Sequence, residues 1–335
     1  MQTHKKERRQ GLAGVAFLLS LYFVLEPTPS AGQELKDVPS PDPSPSLLLN
    51  VPLDPVRRSS LEEAIKDRKY EHAETLLLQE IDRNPKSPQL LTVLGSIFFL
   101  DGKYLNTAIA LKKAEALNPL DDQHRFTLAM SYIILNHRGW ARPELERLAQ
   151  SNPRGALYPY WLGRLDYDDM QFPAALARFK KTLELDPNLM KAYDNLGLCY
   201  EALGKYDEAI QTYQEATRLN RLRRLNSAWP PLNFGTLLVK LGKLEQAEPY
   251  LRESLSYDPK FARAHYQLGI LLEKQRKEGE AIQELDQAAS LDPSYPEPHY
   301  ALGRIYQRKG DIRNAETALN TFQKLKKEKR PEREP

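Results

Sequence analysis

The feature that most constrains the fold of this chain is a proline that returns at a fixed interval. In two separate runs, consecutive prolines are 34 residues apart: Pro85, Pro119, Pro153 and Pro187, then Pro259 and Pro293. Asn or Asp stands directly before each of them. Because a residue before proline is pushed out of the α region, each pair predicts a helix end followed by a turn. A fixed period of this length predicts an array of helical repeats rather than one compact core.

A second set of positions recurs inside each repeat. Five repeats contain a Leu–Gly pair in their first half: Leu94–Gly95, Leu162–Gly163, Leu196–Gly197, Leu268–Gly269 and Leu302–Gly303. After Gly197, an alanine follows at Ala209 and an aromatic residue at Tyr213, and the other repeats have similar residues at these offsets. Two antiparallel helices approach closely only where a side chain is missing, and a large side chain then fills the groove beside it. The pattern therefore predicts a helix–turn–helix repeat.

These features resemble the tetratricopeptide repeat, a unit of 34 residues that ends in proline. The resemblance covers residues 54–329 and implies an all-α, right-handed superhelical solenoid of about eight repeats. The predicted repeats are 54–87, 88–121, 122–155, 156–189, 190–223, 228–261, 262–295 and 296–329. The surplus residues within Asn220–Pro231 predict an extended helix end and then a kinked loop. Glycines between the helices, such as Gly204 and Gly242, fit the end of a helix.

The first 32 residues predict export from the cytoplasm. A basic stretch precedes the apolar run Gly11–Leu25, and small residues follow at Ser30, Ala31 and Gly32, as in a secretory signal peptide. An uncleaved signal anchor at residues 11–25 is the alternative, although this run is shorter than the roughly 20 residues of a membrane span. We expect a periplasmic or secreted protein, with membrane contact only if the segment stays attached.

Two further segments are predicted to lie outside the repeats. Residues 33–53 are rich in proline, which disfavours helix and sheet and predicts a disordered linker. Residues 330–335 form a charged tail. Both segments are expected to be solvated.

Composition and motifs exclude several classes of function. The formal net charge of +3 does not indicate a surface that binds nucleic acid. The single cysteine, Cys199, excludes an internal disulfide framework and is predicted to be a small core residue. The sequence has no glycine-rich phosphate loop, no His-Glu-x-x-His and no Gly-x-Ser-x-Gly. We therefore expect no catalytic residues, no cofactor and no enzyme activity.

The resemblance implies that the first helices of the repeats line a concave groove, which holds a peptide or protein segment. Repeats five to seven place a cation or indole four residues before an amide: Lys191 and Asn195, Trp229 and Asn233, Arg263 and Gln267. Residues at i and i+4 share a helix face, and an amide both donates to and accepts from an extended backbone. The row predicts peptide binding with little sequence dependence. A solvated helix face is the alternative.

Aromatic and cationic residues form a second candidate set in the same first helices: Tyr160, Arg164, Tyr266, Tyr300 and Arg304. Tyr and Arg are typical of binding hot spots, and they are also ordinary amphipathic residues. No first helix has lysine at the fifth repeat position, which separates the chain from the clamps for chaperone tails. His265 and His299 lie one repeat apart, but packing is favoured over a shared metal, so no metal site is predicted.

The sequence thus predicts a non-catalytic, monomeric interaction scaffold that binds protein or peptide partners in its groove, in an envelope or secretion-related assembly. Two alternatives stay open. One is an accessory subunit or ligand-binding component of an exported enzyme complex. The other is a solenoid that assembles with itself through its ends.

Overall fold

The computed structural model describes Leu48 and residues 51–328, and the regular secondary structure of repeats one to eight within those residues is α-helical. Repeats one to four contain α1 (Pro55–Lys66), α2 (Tyr70–Arg83), α3 (Pro88–Leu100), α4 (Tyr104–Leu117), α5 (Asp122–Ile134), α6 (Arg138–Ser151), α7 (Leu157–Asp168) and α8 (Phe172–Leu185). Repeats five to eight contain α9 (Met190–Ala202), α10 (Tyr206–Leu222), α11 (Trp229–Lys240), α12 (Leu244–Tyr257), α13 (Ala262–Lys274), α14 (Glu278–Leu291), α15 (Pro296–Arg308) and α16 (Ile312–Glu328). The predicted all-α repeat fold is confirmed.

The chain divides into two compact units, which we call the N-terminal unit (Met1–Leu148) and the C-terminal unit (Ala149–Pro335). In each unit the first and second helices of a repeat pack against each other, for example α3 with α4 and α9 with α10. Within each unit, second helices also pack against the first helix of the next repeat, for example α4 with α5 and α10 with α11. The core is therefore a succession of shared layers between neighbouring helices, as expected of a repeat protein.

Glycines of the first helices set how closely the two helices of a repeat approach. A methyl group on Gly197 would lie 2.5 Å from the ring of Tyr213, which is fully buried. The same test places a methyl group on Gly235 2.7 Å from the side chain of Leu251. The predicted contact between a missing side chain and a large one is confirmed, and it leaves no room for a larger residue.

The turn after each first helix requires a positive φ. Four repeats use glycine here, and among them Gly204 and Gly242 have φ of 71° and 74°. The other four repeats use Arg68, Asn136, Met170 and Arg276, with φ between 56° and 65°. A left-handed conformation costs a non-glycine residue on the order of 1–2 kcal/mol. The repeat geometry is thus held at these positions even where the local residue disfavours it.

The predicted linker overlaps the folded part at its C-terminal end. Leu48 and Val51 are buried in the same cluster as Leu61 and Ile65 of α1. The guanidinium of Arg58 donates to the carbonyl oxygens of Leu48 and Val51, at 2.5 and 2.7 Å. These residues cover apolar side chains of the first repeat, which explains why they belong to the core and not to a solvated segment.

Other predicted segments lie outside the described residues: the export signal within residues 1–32, linker residues 33–47, 49 and 50, and the charged tail at 330–335. Their assignments remain predictions. No helix in the described part of the chain is both long and apolar enough to cross a membrane.

The expected extension at the fifth repeat is confirmed. Helix α10 has 17 residues, whereas α8 and α12, the second helices of the adjacent repeats, have 14 each. The loop that follows is kinked by positive φ at Arg224 and Asn226.

We predict that Gly197→Ala lowers the free energy of unfolding by about 1–3 kcal/mol, because the added methyl group collides with the buried Tyr213 ring. Gly279→Ala in α14 is the matched control, since no atom lies within 4 Å of the added group. The control should be neutral or stabilising by up to about 1 kcal/mol. Urea unfolding followed by circular dichroism measures both, and equal stability of the two variants would contradict the packing account.

Candidate peptide-binding groove

The first helices of repeats four to eight form a continuous row in the C-terminal unit. Helix α7 packs against α9, α9 against α11, α11 against α13, and α13 against α15. We call these five helices the helix wall. Every candidate binding residue identified in the sequence lies on it.

The amides predicted to face a peptide instead connect neighbouring helices of the wall. Asn195 on α9 donates from Nδ2 to the carbonyl of Lys191, at 2.8 Å, and to the hydroxyl of Tyr160 on α7, at 3.4 Å. Asn233 on α11 donates from Nδ2 to both carboxylate oxygens of Asp194 on α9, at 3.0 and 3.1 Å. In both cases the sixth position of one repeat bonds to the fifth position of the repeat before it.

Four of the predicted groove residues are core residues instead. Tyr160, Arg164, Asn195 and Gln267 are buried, each with 8% of its surface exposed or less. For Tyr160 and Asn195 the physical reason is that the fifth position of repeat four and the sixth position of repeat five face each other between α7 and α9. A buried polar group needs an internal partner, and the bonds of Asn195 supply one.

Ion pairs join neighbouring helices of the wall near their C-terminal ends. Lys240 on α11 lies 2.9 Å from Glu201 on α9, and Arg308 on α15 lies 2.8 Å from Glu273 on α13. Both pairs join position 13 of one repeat to position 12 of the repeat before it. Arg304 adds a second contact to Glu273, at 2.6 Å.

Of the residues in these pairs, the sequence predicted only Arg304; it missed Glu201, Lys240, Glu273 and Arg308. The signal was present: an acid at position 12 of a repeat, with a base at position 13 of the next, twice in the C-terminal unit. With the amide bonds, these pairs fix the register of α7, α9 and α11 and of α13 with α15 before any partner binds.

Seven candidate residues remain partly exposed on the helix wall: Lys191, Trp229, Asn233, Arg263, Tyr266, Tyr300 and Arg304. The guanidinium of Arg263 lies 5.5 Å from the ring centroid of Trp229, within the range of a cation–π contact. Trp229 also meets Phe261 edge-on at 4.8 Å. The indole is therefore fixed on both sides, which lowers the entropy lost when it binds a partner.

A second aromatic–cation pair lies on α15, the first helix of the last repeat. Arg304, also partly exposed, places its guanidinium 5.4 Å from the ring centroid of Tyr300. The ring of Tyr300 packs 5.1 Å from that of Phe322 on α16. The helix wall thus presents rigid aromatic faces and cations, which suit apolar side chains, peptide carbonyls and carboxylates of a partner.

The two histidines are in different surroundings. The hydrogen bond between Nδ1 of His265 and Glu284, at 2.6 Å, raises the pKa of this imidazole, and the carbonyl of Pro259 accepts from its other nitrogen. Burial lowers the pKa of His299. Within the described residues no group of three His, Cys, Asp or Glu side chains is arranged to hold a metal.

Cys199 is a small core residue, as predicted. It is fully buried in α9, and burial raises the pKa of its thiol to about 12. Because the thiolate is the nucleophilic form, this thiol is unreactive at neutral pH.

Comparison with known families agrees with this geometry. Sequence profiles described as tetratricopeptide repeat match residues 149–222, 188–260, 232–296 and 296–329. Together they cover more than half of the chain, so the protein belongs to the tetratricopeptide repeat family. The usual activity of this family is to hold a protein or peptide segment, which places the chain among protein-interaction scaffolds. The comparison with curated proteins finds no match.

Solved structures show the same fold. Yeast Tom70 matches with a TM-score of 0.59 and 18% identity, over 89% of this chain and 66% of the Tom70 chain. A tetratricopeptide repeat protein from Parabacteroides merdae matches with a TM-score of 0.58 and 18% identity, over 78% of this chain and 94% of its own. YrrB, a protein "with an unusual peptide-binding site", has 24% identity but a TM-score of 0.43, over 54% of this chain and 91% of its own. At these identities the likeness to Tom70 and to the Parabacteroides merdae protein concerns the fold alone.

We predict that Asn195→Ala destabilises the C-terminal unit by about 1–2 kcal/mol, since it removes a buried donor with two acceptors. Asn320→Ala in α16 is the matched control, because this asparagine is exposed. The control should change stability by no more than about 0.5 kcal/mol. Urea unfolding of both variants checks this, and an unaffected Asn195→Ala variant would show that the bond does not hold the helix wall.

We also predict opposite pH dependences for two histidine variants. The pKa of His265 is raised, so its ion pair stabilises the fold below the unfolded pKa of about 6.5 and is lost as pH rises through the folded pKa. His265→Gln should therefore cost more stability at pH 5 than at pH 8.5. The pKa of His299 is lowered, so its penalty develops as pH falls below about 6.5, and His299→Gln should relieve it there. Urea midpoints across this range test both signs. Parallel pH profiles for the two variants would refute the assignment.

Proposed function

We propose that this protein is a non-catalytic, monomeric scaffold that holds an extended protein segment along the helix wall of the C-terminal unit. The observation that supports the proposal is that one set of residues joins the helices of that wall, while another set is exposed on it. Asn195, Asn233, Glu201 and Glu273 join neighbouring first helices, while aromatic and cationic groups beside them stay partly exposed. A wall that is fixed before binding loses little entropy when a partner docks.

The partly exposed residues define the contact surface in this proposal: Lys191, Trp229, Arg263, Tyr266, Tyr300 and Arg304. Asn233 contributes only through its exposed edge, because Asp194 occupies its donor group. Tyr160, Arg164, Asn195 and Gln267 support the surface from beneath. The proposed partner segment presents apolar or aromatic side chains to the indole and tyrosine rings, and carbonyls or carboxylates to the arginines.

The proposed place of action is the cell envelope or the secretion route. The support is the sequence of residues 1–32, in which basic residues, the apolar run Gly11–Leu25 and small residues follow one another.

Photo-cross-linking in the cell that makes the protein tests this function. We predict that a benzophenone amino acid at position 263 or 300 captures the same partner, because both lie on the helix wall. The matched controls are Gln246 and Glu280, which are exposed on the second helices α12 and α14. Adducts only at the control positions, or equally at all four, would contradict the groove.

A second experiment distinguishes a specific contact with the helix wall from nonspecific cross-linking. Arg263→Glu, in a chain with the cross-linker at position 300, should reduce the adduct at least about five-fold, because the charge of a central contact is reversed. Adducts are recovered from separated envelope and cytoplasmic fractions. Recovery of the adducts from the cytoplasmic fraction alone would contradict the proposed location. The comparison between cross-linking positions would still test the groove.

A further inference from the structure

The insertion between repeats five and six builds a surface that the groove does not use. We call residues 222–226 the Arg–Leu corner; they are Leu222, Arg223, Arg224, Leu225 and Asn226. Leu222 is 67% exposed and Leu225 is 48% exposed, although both are large apolar side chains. Two exposed leucines beside two arginines call for a physical explanation.

The Arg–Leu corner has a defined shape. The side chain of Asn220, which is fully buried, donates to the carbonyl of Ser227 at 2.9 Å and accepts from its amide at 3.0 Å. The amide of Leu225 donates to the carbonyl of Asn220, at 3.0 Å. These bonds hold Arg224 and Asn226 at positive φ. The two leucines are therefore presented on a fixed turn.

The sequence that flanks the Arg–Leu corner contains no acidic residues. Residues 216–244 contain no Asp or Glu, while Glu215 and Glu245 border them. Arg221 is offset by its ion pair with Glu253. Arg223 donates to the carbonyl of Asn188 at 3.2 Å, and neither Arg223 nor Arg224 forms an ion pair within the described residues. The corner thus carries two uncompensated positive charges, and an anionic partner complements them.

We propose that the Arg–Leu corner docks onto the headgroup region of an anionic lipid bilayer. Arginines near such a surface are attracted to the lipid charge, and leucines beside them reach the boundary of the acyl chains. A protein partner would need a socket shaped for both leucines, whereas a bilayer accepts them without shape matching. Each contribution is small, so the corner orients a protein that is held near the membrane by a second attachment.

Hydrogen–deuterium exchange of the full-length chain tests the proposal, with vesicles of phosphatidylcholine alone or of phosphatidylglycerol and phosphatidylcholine in equal amounts. The mixed vesicles should slow amide exchange across residues 219–228 at least about three-fold, and the neutral vesicles should not. Because the readout is confined to these residues, membrane binding by residues 11–25 does not produce it.

Two variants and one control complete the experiment. Leu222→Ser/Leu225→Ser and, separately, Arg223→Gln/Arg224→Gln should each abolish the slowing. Leu105→Ser/Ile109→Ser, which changes two exposed apolar residues of α4, should leave it intact. The two corner variants act through different chemistry, so misfolding of one leaves the other as the test.

Three results would overturn the proposal. The first is equal slowing by both kinds of vesicle, which would remove the role of lipid charge. The second is slowing that persists in both corner variants. The third is slowing by soluble polyglutamate but not by mixed vesicles, which would identify the Arg–Leu corner as a site for an acidic protein.

Discussion

The rest of the structure depends on the contact between a glycine of the first helix and a large side chain of the second helix in the same repeat. At Gly197 and Tyr213 the contact is so close that even a methyl group would not fit. This spacing fixes the geometry of each helical pair, and stacking of identical pairs then brings consecutive first helices side by side. The helix wall follows from that one constraint repeated along the C-terminal unit.

The helix wall explains how the same first helices can be joined to each other and still present a binding surface. Asn195, Asn233 and the Glu201–Lys240 pair join one helix to the next, so these polar groups are already satisfied. Within the described residues, Trp229 and Arg263 form no hydrogen bond or ion pair between repeats; they meet through a cation–π contact and are partly exposed. The proposed binding surface is therefore the partly exposed portion of the candidate groove, and Arg304 belongs to it as well as to the ion pair with Glu273.

The sequence predicted what depends on spacing within a repeat. Helix pairs, the Gly197–Tyr213 contact, the long α10 and the burial of Cys199 all follow from local offsets. It did not predict which polar groups of neighbouring repeats would meet, because that depends on the distance between repeats. Asn195 therefore looked free in the sequence and is buried in the structure, and Leu48 looked like linker although it covers the first repeat.

The measurement that tests the central claim most directly is a nitrogen–proton spectrum of the three tryptophan indoles, recorded before and after addition of the partner segment recovered by cross-linking. Trp229 lies on the proposed surface, Trp161 is buried in the helix wall, and Trp140 lies exposed in the N-terminal unit. The account predicts that the Trp229 signal shifts while those of Trp161 and Trp140 stay in place. A shift of Trp140 with Trp229 unchanged would contradict it.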